Sequence, residues 1–177
     1  MGNAAQERIL DFGGFPGRWE VIRSTKETAG ELLKMRFEIE STTGDSPPVH
    51  IHPEAEESYE VLSGELEVKV EGEWQRVPAG EKHSVPPGTA HTFRNRVPVT
   101  LINVHKPALE FERFFRRFHK LVTEQGVNLP PRNFRSAVLM GMLFSEHERE
   151  VVSVNPPRLA MRALATIGRL LRYRLPE

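Results

Sequence analysis

The chain has 177 residues and a mass of 20.2 kDa, which suits one domain with an added subdomain and argues against a second full domain. It contains no cysteine, which excludes disulfides and thiolate chemistry, so any bound metal must use nitrogen and oxygen donors. The net charge is zero, but residues 1–107 hold 12 basic and 17 acidic residues, against 12 and 7 in residues 108–177. The acidic first part argues against binding along a nucleic-acid backbone.

Between Arg18 and Lys106 the sequence consists of short β-type segments separated by glycine and proline, a pattern typical of an all-β sandwich or barrel. The clearest predicted strands are residues 32–39, 58–62, 66–70 and 99–104. Ser63-Gly64 is predicted to form a hairpin turn. Pro86-Pro87-Gly88 predicts a type II turn, which requires positive φ at the glycine, and His91 then begins the returning strand.

After Pro107 the hydrophobic period becomes helical. The first helix is predicted from a stripe of apolar residues and ends near Gly126. This stripe contains Phe111, Phe114, Phe115, Phe118, Leu121 and Val122. A second helix is predicted over about residues 133–144, and a third from Asn155 to about residue 172. The chain is therefore divided into a β domain, residues 1–107, and a helical extension of two to three helices, residues 108–177, used for oligomerisation or docking.

The last predicted helix is basic and amphipathic. Its apolar face is expected to hold Ala160, Ala163, Leu164, Ile167, Leu170 and Leu171, and its opposite face Arg158, Arg162, Arg169 and Arg172. We expect the apolar face to pack on the β domain or on a second subunit; the alternative is contact with an anionic membrane surface. No pattern of a DNA-recognition helix is present.

His50 and His52 are two residues apart, so on an extended strand both imidazoles project from the same face. Glu57 follows after a turn-permitting spacing that includes Pro53, and it opens the next strand. His91 lies at the start of another strand. A barrel that brings these strands together would form a site of three imidazoles and one carboxylate with open coordination positions.

The spacing in two segments resembles the paired signature motifs of the cupin superfamily. In the first, Gly44 is followed by five residues, His50, one residue, His52, four residues, Glu57, six residues and Gly64. In the second, Gly80 is followed by five residues, Pro86, one residue, Gly88, two residues, His91, three residues and Asn95. The resemblance implies an all-β, antiparallel jelly-roll barrel of the compact, bacterial type, with the helical extension lying outside it.

By this resemblance His50, His52, Glu57 and His91 are metal ligands, the motif glycines and Pro86 shape turns, and Asn95 is structural. Glu57 is preferred over the adjacent Glu56 because it fits the six-residue gap to Gly64. Tyr59 shares strand parity with Glu57 and is a candidate proton donor, with packing as the alternative. The remaining histidines have no motif role and are interpreted as surface or core residues; they are His83, His105, His119 and His147.

The ligand set predicts one divalent transition metal, namely iron, manganese, nickel, zinc or copper. The function we expect is a mononuclear-metal oxidoreductase of dioxygenase type, similar to quercetinases, acting on a small organic molecule. The same ligands also fit a metal-dependent isomerase, or a non-enzymatic module that binds a small molecule or the metal itself. We expect a cytoplasmic homodimer, because no leader-like apolar run opens the sequence and a phenylalanine-rich helix needs a covering surface.

Overall fold

A computed structural model describes residues 7–41 and 47–177. The predicted alternation of apolar and polar residues produces strands with alternating burial, as in β3, where Leu33, Met35, Phe37 and Ile39 are buried and the residues between them are not. The strands are β1 Ile9–Asp11, β2 Arg18–Arg23, β3 Leu33–Ile39, β4 His50–Ile51, β5 Glu56–Ser63, β6 Glu65–Val70, β7 Glu73–Pro78, β8 Lys82–Val85, β9 His91–Arg94, β10 Val99–Lys106 and β11 Val152–Ser153.

These strands form two antiparallel sheets. One sheet has the order β1-β2-β3-β10-β5-β8, and the other has the order β11-β4-β9-β6-β7. The core lies between them, since Val61 and Leu101 of the first sheet belong to the same buried cluster as Leu66 and Val68 of the second.

The closed barrel expected from the sequence is not observed in this strand order. Over residues 7–41 and 47–177 no hydrogen-bonded strand pair joins the two sheets, so they face each other with open edges. The physical reason lies partly in the turn between β7 and β8. There the chain leaves one sheet after Pro78, turns at Gly80 with φ 88°, and enters the other sheet instead of extending the first.

The type II turn forms as predicted, but the hairpin predicted at Ser63-Gly64 is wrong, because β5 and β6 belong to different sheets and the chain crosses between the sheets at Gly64. Gly64 has φ 79°, and a Cβ there would lie 2.2 Å from the carbonyl oxygen of Pro98, so a side chain is excluded. Gly88 has φ 78°, the value that a type II turn requires, and the Thr89 amide donates to the Pro86 carbonyl. Gly44 lies outside the described residues.

Three helices follow the sheets: α1 Phe111–Thr123, α2 Phe134–Glu146 and α3 Arg158–Leu170. The Asn133 side chain accepts a hydrogen bond from the Ser136 amide and so caps α2. Gly126 has φ 66° beyond the end of α1, as predicted. No helix of the described chain combines the length and apolar character needed to cross a membrane.

The apolar face predicted for the last helix is wrong in part. The buried residues of α3 are Met161, Ala165 and Gly168, whereas Leu170 is 79% exposed and Leu171 is 50% exposed. The buried face is chosen by close contact with α2, where Cβ atoms built at the glycines of the two helices would overlap neighbouring side chains. The two glycines therefore set how closely the helices pack, and the neighbouring apolar side chains fill the space beside them.

The tail also contributes a strand that the sequence analysis missed. β11 pairs antiparallel with β4, with Val152 opposite Ile51 and Ser153 opposite His50. A two-residue strand has no detectable period, so only its pairing reveals it. The division at residue 107 stays a prediction, but the segment after it takes part in the second sheet.

Candidate metal centre

The two histidines of the first motif lie on and just after β4. His50 and His52 are both buried, and their ring centroids are 4.9 Å apart. His91, the first residue of β9, is the register partner of His50, and this pairing places their ring centroids 4.4 Å apart. Strand pairing therefore brings three histidines from two distant motifs to one end of the space between the sheets.

Glu57 comes from β5 in the opposite sheet and is 5% exposed. One donor atom from each of His50, His52, Glu57 and His91 lies within 4.8 Å of every other. Glu56, the alternative carboxylate, points outward and is exposed. The structure thus brings together the four side chains that the spacing singled out.

Each of the three imidazoles is oriented by a backbone carbonyl. The Nδ1 atoms of His50, His52 and His91 lie 2.9 Å from the Pro48 oxygen, 2.6 Å from the Glu150 oxygen and 2.8 Å from the Thr89 oxygen, respectively. Because a carbonyl oxygen only accepts, each Nδ1 carries a proton and donates it. A neutral ring in this state keeps its lone pair on Nε2, which is the arrangement that metal-binding histidines adopt.

The side of the cluster nearest Glu57 requires a positive charge. The Nε2 atoms of His52 and His91 lie 3.1 and 2.8 Å from Oε2 of Glu57. With the Nδ1 protons in place, two lone pairs would face a carboxylate oxygen unless each ring takes a second proton or a cation lies between them. A donor set of three nitrogens and one carboxylate suits a divalent transition metal, so the residues present fit such an ion.

The pKa values reflect this arrangement. Burial, and then the charges of His52 and His91, holds the pKa of His50 well below its ordinary value. Burial alone would raise the pKa of Glu57, but the charges of His105 and His52 outweigh it and keep the pKa well below the usual range. Burial would lower the pKa of His91, but its hydrogen bond with Glu57 raises it. The cluster therefore favours an ionised carboxylate beside imidazoles.

Tyr59, the candidate proton donor, is fully buried and donates a 2.6 Å hydrogen bond to Oε2 of Glu57. Burial, and then the charge of Glu57, raises the pKa of its hydroxyl well above the ordinary value. The hydroxyl thus holds its proton against the carboxylate. Its place beside Glu57 is consistent with the strand parity read from the sequence.

Two residues of β10 also reach Glu57: Asn103, which the sequence did not single out, and His105, which was interpreted only as a surface or core residue. Asn103 donates a 2.7 Å hydrogen bond to Oε1, and His105 Nε2 lies 3.4 Å from the same oxygen. Both side chains are buried, and the two ring nitrogens of His105 have no hydrogen-bond partner in the described structure. The available signal was their parity with the buried Leu101, which places two polar side chains on the inward face of an apolar strand.

The other motif-free histidines lie apart from the four donors. His83 is partly buried on β8, and His119 contacts the Asp11 carbonyl on the surface. His147 is buried beside Glu150 in the tail. Asn95 is buried and donates to the carbonyls of residues 40 and 97, consistent with the predicted structural role.

The start of α1 covers the histidine end of the cluster. The Phe111 ring centroid is 3.9 Å from that of His105 and 5.0 Å from that of His52. The four donor residues are only 1–7% exposed. A cavity of about 500 Å³ lies elsewhere, between α1 and the strands near Leu10 and Thr25, and none of the four donors lines it. The cluster is therefore closed to bulk solvent.

Residues 37–105 match the family model described as a cupin domain. A quercetin 2,3-dioxygenase from Bacillus subtilis is 37% identical over 73 residues, which cover 41% of this chain and 21% of that protein. The chain thus spans about a fifth of the length of this curated relative.

Among solved structures, an RmlC-like cupin from Shewanella frigidimarina is similar with a TM-score of 0.50 and 24% identity, covering 63% of this chain and 92% of the other. A sugar phosphate isomerase of the cupin superfamily from Silicibacter pomeroyi has a TM-score of 0.43 and 20% identity, covering 59% of this chain and 62% of the other. The first similarity concerns the fold alone.

Proposed function

Because this chain belongs to the cupin superfamily, we propose that its cluster of three histidines and one glutamate binds one divalent transition metal ion. The observation that carries the proposal is the convergence of four buried donor atoms, from His50, His52, Glu57 and His91, within 4.8 Å. The orientation of each Nε2 toward the cluster supports it, because the carbonyl at Nδ1 selects the ligating form of the ring. Iron, manganese, nickel, zinc and copper all suit these donors.

For the fold, we propose that the two open-edged sheets are the halves of a jelly roll built from residues 1–107, to whose second sheet the tail adds β11. Their antiparallel pairing and the shared core between them support this assignment. Residues 108–177 would then be an extension of the cupin domain, and the cluster would lie inside the jelly roll at the end covered by α1.

For the activity, we propose a mononuclear-metal oxidoreductase of dioxygenase type that acts on a small organic molecule. The support is the ligand set together with the partial similarity to a quercetin 2,3-dioxygenase. When bound, the metal would supply Lewis-acid or electron-transfer chemistry to a coordinated substrate oxygen.

The chain's own residues would prepare the site. Asn103 and Tyr59 hold the two oxygens of Glu57 in place through hydrogen bonds, and the raised pKa of Tyr59 keeps its proton on the hydroxyl. The Phe111 ring excludes water from the side next to His52 and His105. This apolar covering must move for a substrate to reach the cluster, since the donors have almost no contact with solvent.

That closure is the specific observation in favour of a second candidate, a non-enzymatic module that binds the metal or a small metabolite. A metal-dependent isomerase remains a third candidate, because the same donor set can polarise a substrate oxygen without a redox step. The three candidates share the metal and differ in oxygen consumption and turnover. For partners and location, we propose a homodimer in the cytoplasm with a small-molecule ligand.

The test has two parts. Elemental analysis of the purified protein should give about one transition metal per chain, and His91→Ala should lose it, whereas the matched surface variant His119→Ala should retain it. Metal-loaded protein is then assayed with an oxygen electrode across phenolic, diketone and thiol substrates. Metal binding without oxygen consumption or product formation would reject the oxidoreductase in favour of the binding module, and loss of metal from neither variant would reject the metal site.

A further inference from the structure

Residues 147–153 of the tail pack against β4 and the residues that follow it, a segment that contains the proposed ligands His50 and His52. β11 pairs with β4, and the Val154 amide donates a 3.1 Å hydrogen bond to the Val49 carbonyl. On the outer surface, Arg149 forms a bidentate ion pair with Glu54 at 2.7 and 2.9 Å. This part of the tail therefore follows the backbone of residues 49–54 on both sides of His52.

Within this segment, the carbonyl of Glu150 contacts the cluster itself. It accepts the hydrogen bond from Nδ1 of His52 at 2.6 Å, across 98 positions of sequence. The corresponding carbonyls for His50 and His91 belong to residues only two positions away, Pro48 and Thr89. Two of the three imidazoles are thus oriented by their own turns, and only His52 is oriented by the tail.

The Glu150 side chain is anchored so that this carbonyl has a fixed position. Glu150 is 4% exposed, and its Oε1 accepts a 3.1 Å hydrogen bond from the Glu110 amide just before α1. Its Oε2 lies 3.5 Å from Nδ1 of the buried His147, and the amides of Glu150 and Val151 donate to the His147 carbonyl. The anchoring groups come from the turns at the start of α1 and the end of α2, so both helices help to fix the carbonyl.

From these contacts we infer that the helical tail is a working part of the metal site, with Glu150 as the positioning residue that sets the tautomer and direction of the His52 ring. The inference builds on the proposed metal function. Outer contacts of this kind change metal affinity by about 10- to 100-fold when they are removed. Thermodynamic linkage makes this effect reciprocal. If docking of residues 147–153 increases the metal affinity, bound metal must stabilise that docking by the same free energy.

The experiment measures Zn²⁺ affinity by competition with a chromophoric chelator, using the full chain. We expect Glu150→Ala to weaken binding by about 10- to 100-fold. Glu150→Gln keeps an oxygen for the Glu110 amide and should give a smaller loss. The matched control is Arg76→Ala, which removes an exposed arginine–glutamate ion pair outside the tail and should change affinity less than about twofold. Circular dichroism verifies that each variant is folded; if Glu150→Ala is not, Glu150→Gln carries the comparison.

A second readout separates this inference from the metal proposal. Imidazole ¹⁵N NMR of the metal-free protein at high pH should show His52 with its proton on Nδ1 in the wild type, and a mixture of tautomers in Glu150→Ala, with His50 and His91 unchanged. If the wild type binds no Zn²⁺, the metal proposal fails, and the His52 tautomer still tests the role of the tail. If Glu150→Ala binds Zn²⁺ within twofold of the wild type, or leaves the His52 tautomer unchanged, the inference is overturned.

Discussion

Replacing Tyr59 by phenylalanine removes one hydroxyl from the centre of the cluster and leaves the ring. The ring's edge contact with Phe93, at a centroid distance of 5.6 Å, is retained, so the change isolates the 2.6 Å hydrogen bond to Oε2 of Glu57. Both groups are buried and the acceptor is ionised, and such bonds contribute about 1.5–3 kcal/mol because the acceptor cannot turn to water. We therefore expect Tyr59→Phe to lower the free energy of unfolding of the metal-free protein by about 2 kcal/mol.

For a chain of this length that loss corresponds to a fall in Tm of about 4–8 °C. The assay is urea unfolding in chelator, followed by circular dichroism, with thermal unfolding as a second measure; an unchanged m-value shows that only stability has altered. The chain's other tyrosine is the control, because the Tyr173 side chain is half-buried and its hydroxyl makes no hydrogen bond within the described residues. If Tyr59→Phe and Tyr173→Phe both change the free energy of unfolding by less than about 0.5 kcal/mol, the hydroxyl does not stabilise Glu57 and the reasoning is refuted.

The remaining predictions concern the tail. Hydrogen bonds from Arg162 and Arg158 of α3 lower the pKa of Glu148 from 4.5 to about 2. The ionised carboxylate therefore stabilises the folded protein above about pH 4.5, and this stabilisation is lost as the pH falls toward 2. We expect about 1 kcal/mol after solvent screening, measured as a difference between wild type and Glu148→Gln at pH 7 that vanishes near pH 2. In α2, Gly141→Ala would place a Cβ 2.5 Å from the Cβ of Leu164 in α3. This overlap should lower Tm by several degrees, although alanine has a higher helix propensity than glycine. An unchanged or raised Tm would contradict this packing. Leu159 and Leu170 of α3 are 77% and 79% exposed, and we expect them to lie in the proposed dimer interface. Replacing both by serine should therefore convert the dimer to a monomer, as measured by light scattering. If the wild type is already monomeric and sediments with anionic liposomes, membrane contact is favoured instead.

The cluster of donor side chains was the part of the protein that the sequence predicted best. Two-residue spacing fixed His50 and His52 on one side of the chain, and parity on β5 placed Glu57 and Tyr59 inward, because a strand has a period of two whatever it packs against. The six-residue gap to Gly64 distinguished Glu57 from the exposed Glu56. These are local geometric properties, and local sequence is sufficient to specify them.

The edges of the sheets and the buried face of α3 were harder to predict from the sequence. A hydrophobic pattern does not say whether two sheets will join by hydrogen bonds at their edges, and the open edges here follow from where the chain changes sheet near Gly80. In α3 the largest apolar side chains predicted the buried face only in part, because the fit between the helices is decided at Gly141 and Gly168, where a Cβ would overlap side chains of the facing helix.

The amino-acid sequence was sufficient to identify the four donor side chains, since their residue types and their spacing along each strand are properties of short segments. What surrounds those donors depends on how the whole chain folds. Asn103 and His105 reach Glu57 because β10 lies beside β5, and the carbonyl of Glu150 meets His52 because the tail returns to pair with β4. A backbone carbonyl is the same in every residue, so its role depends on where the folded chain places it, and no residue type in the sequence marks that place.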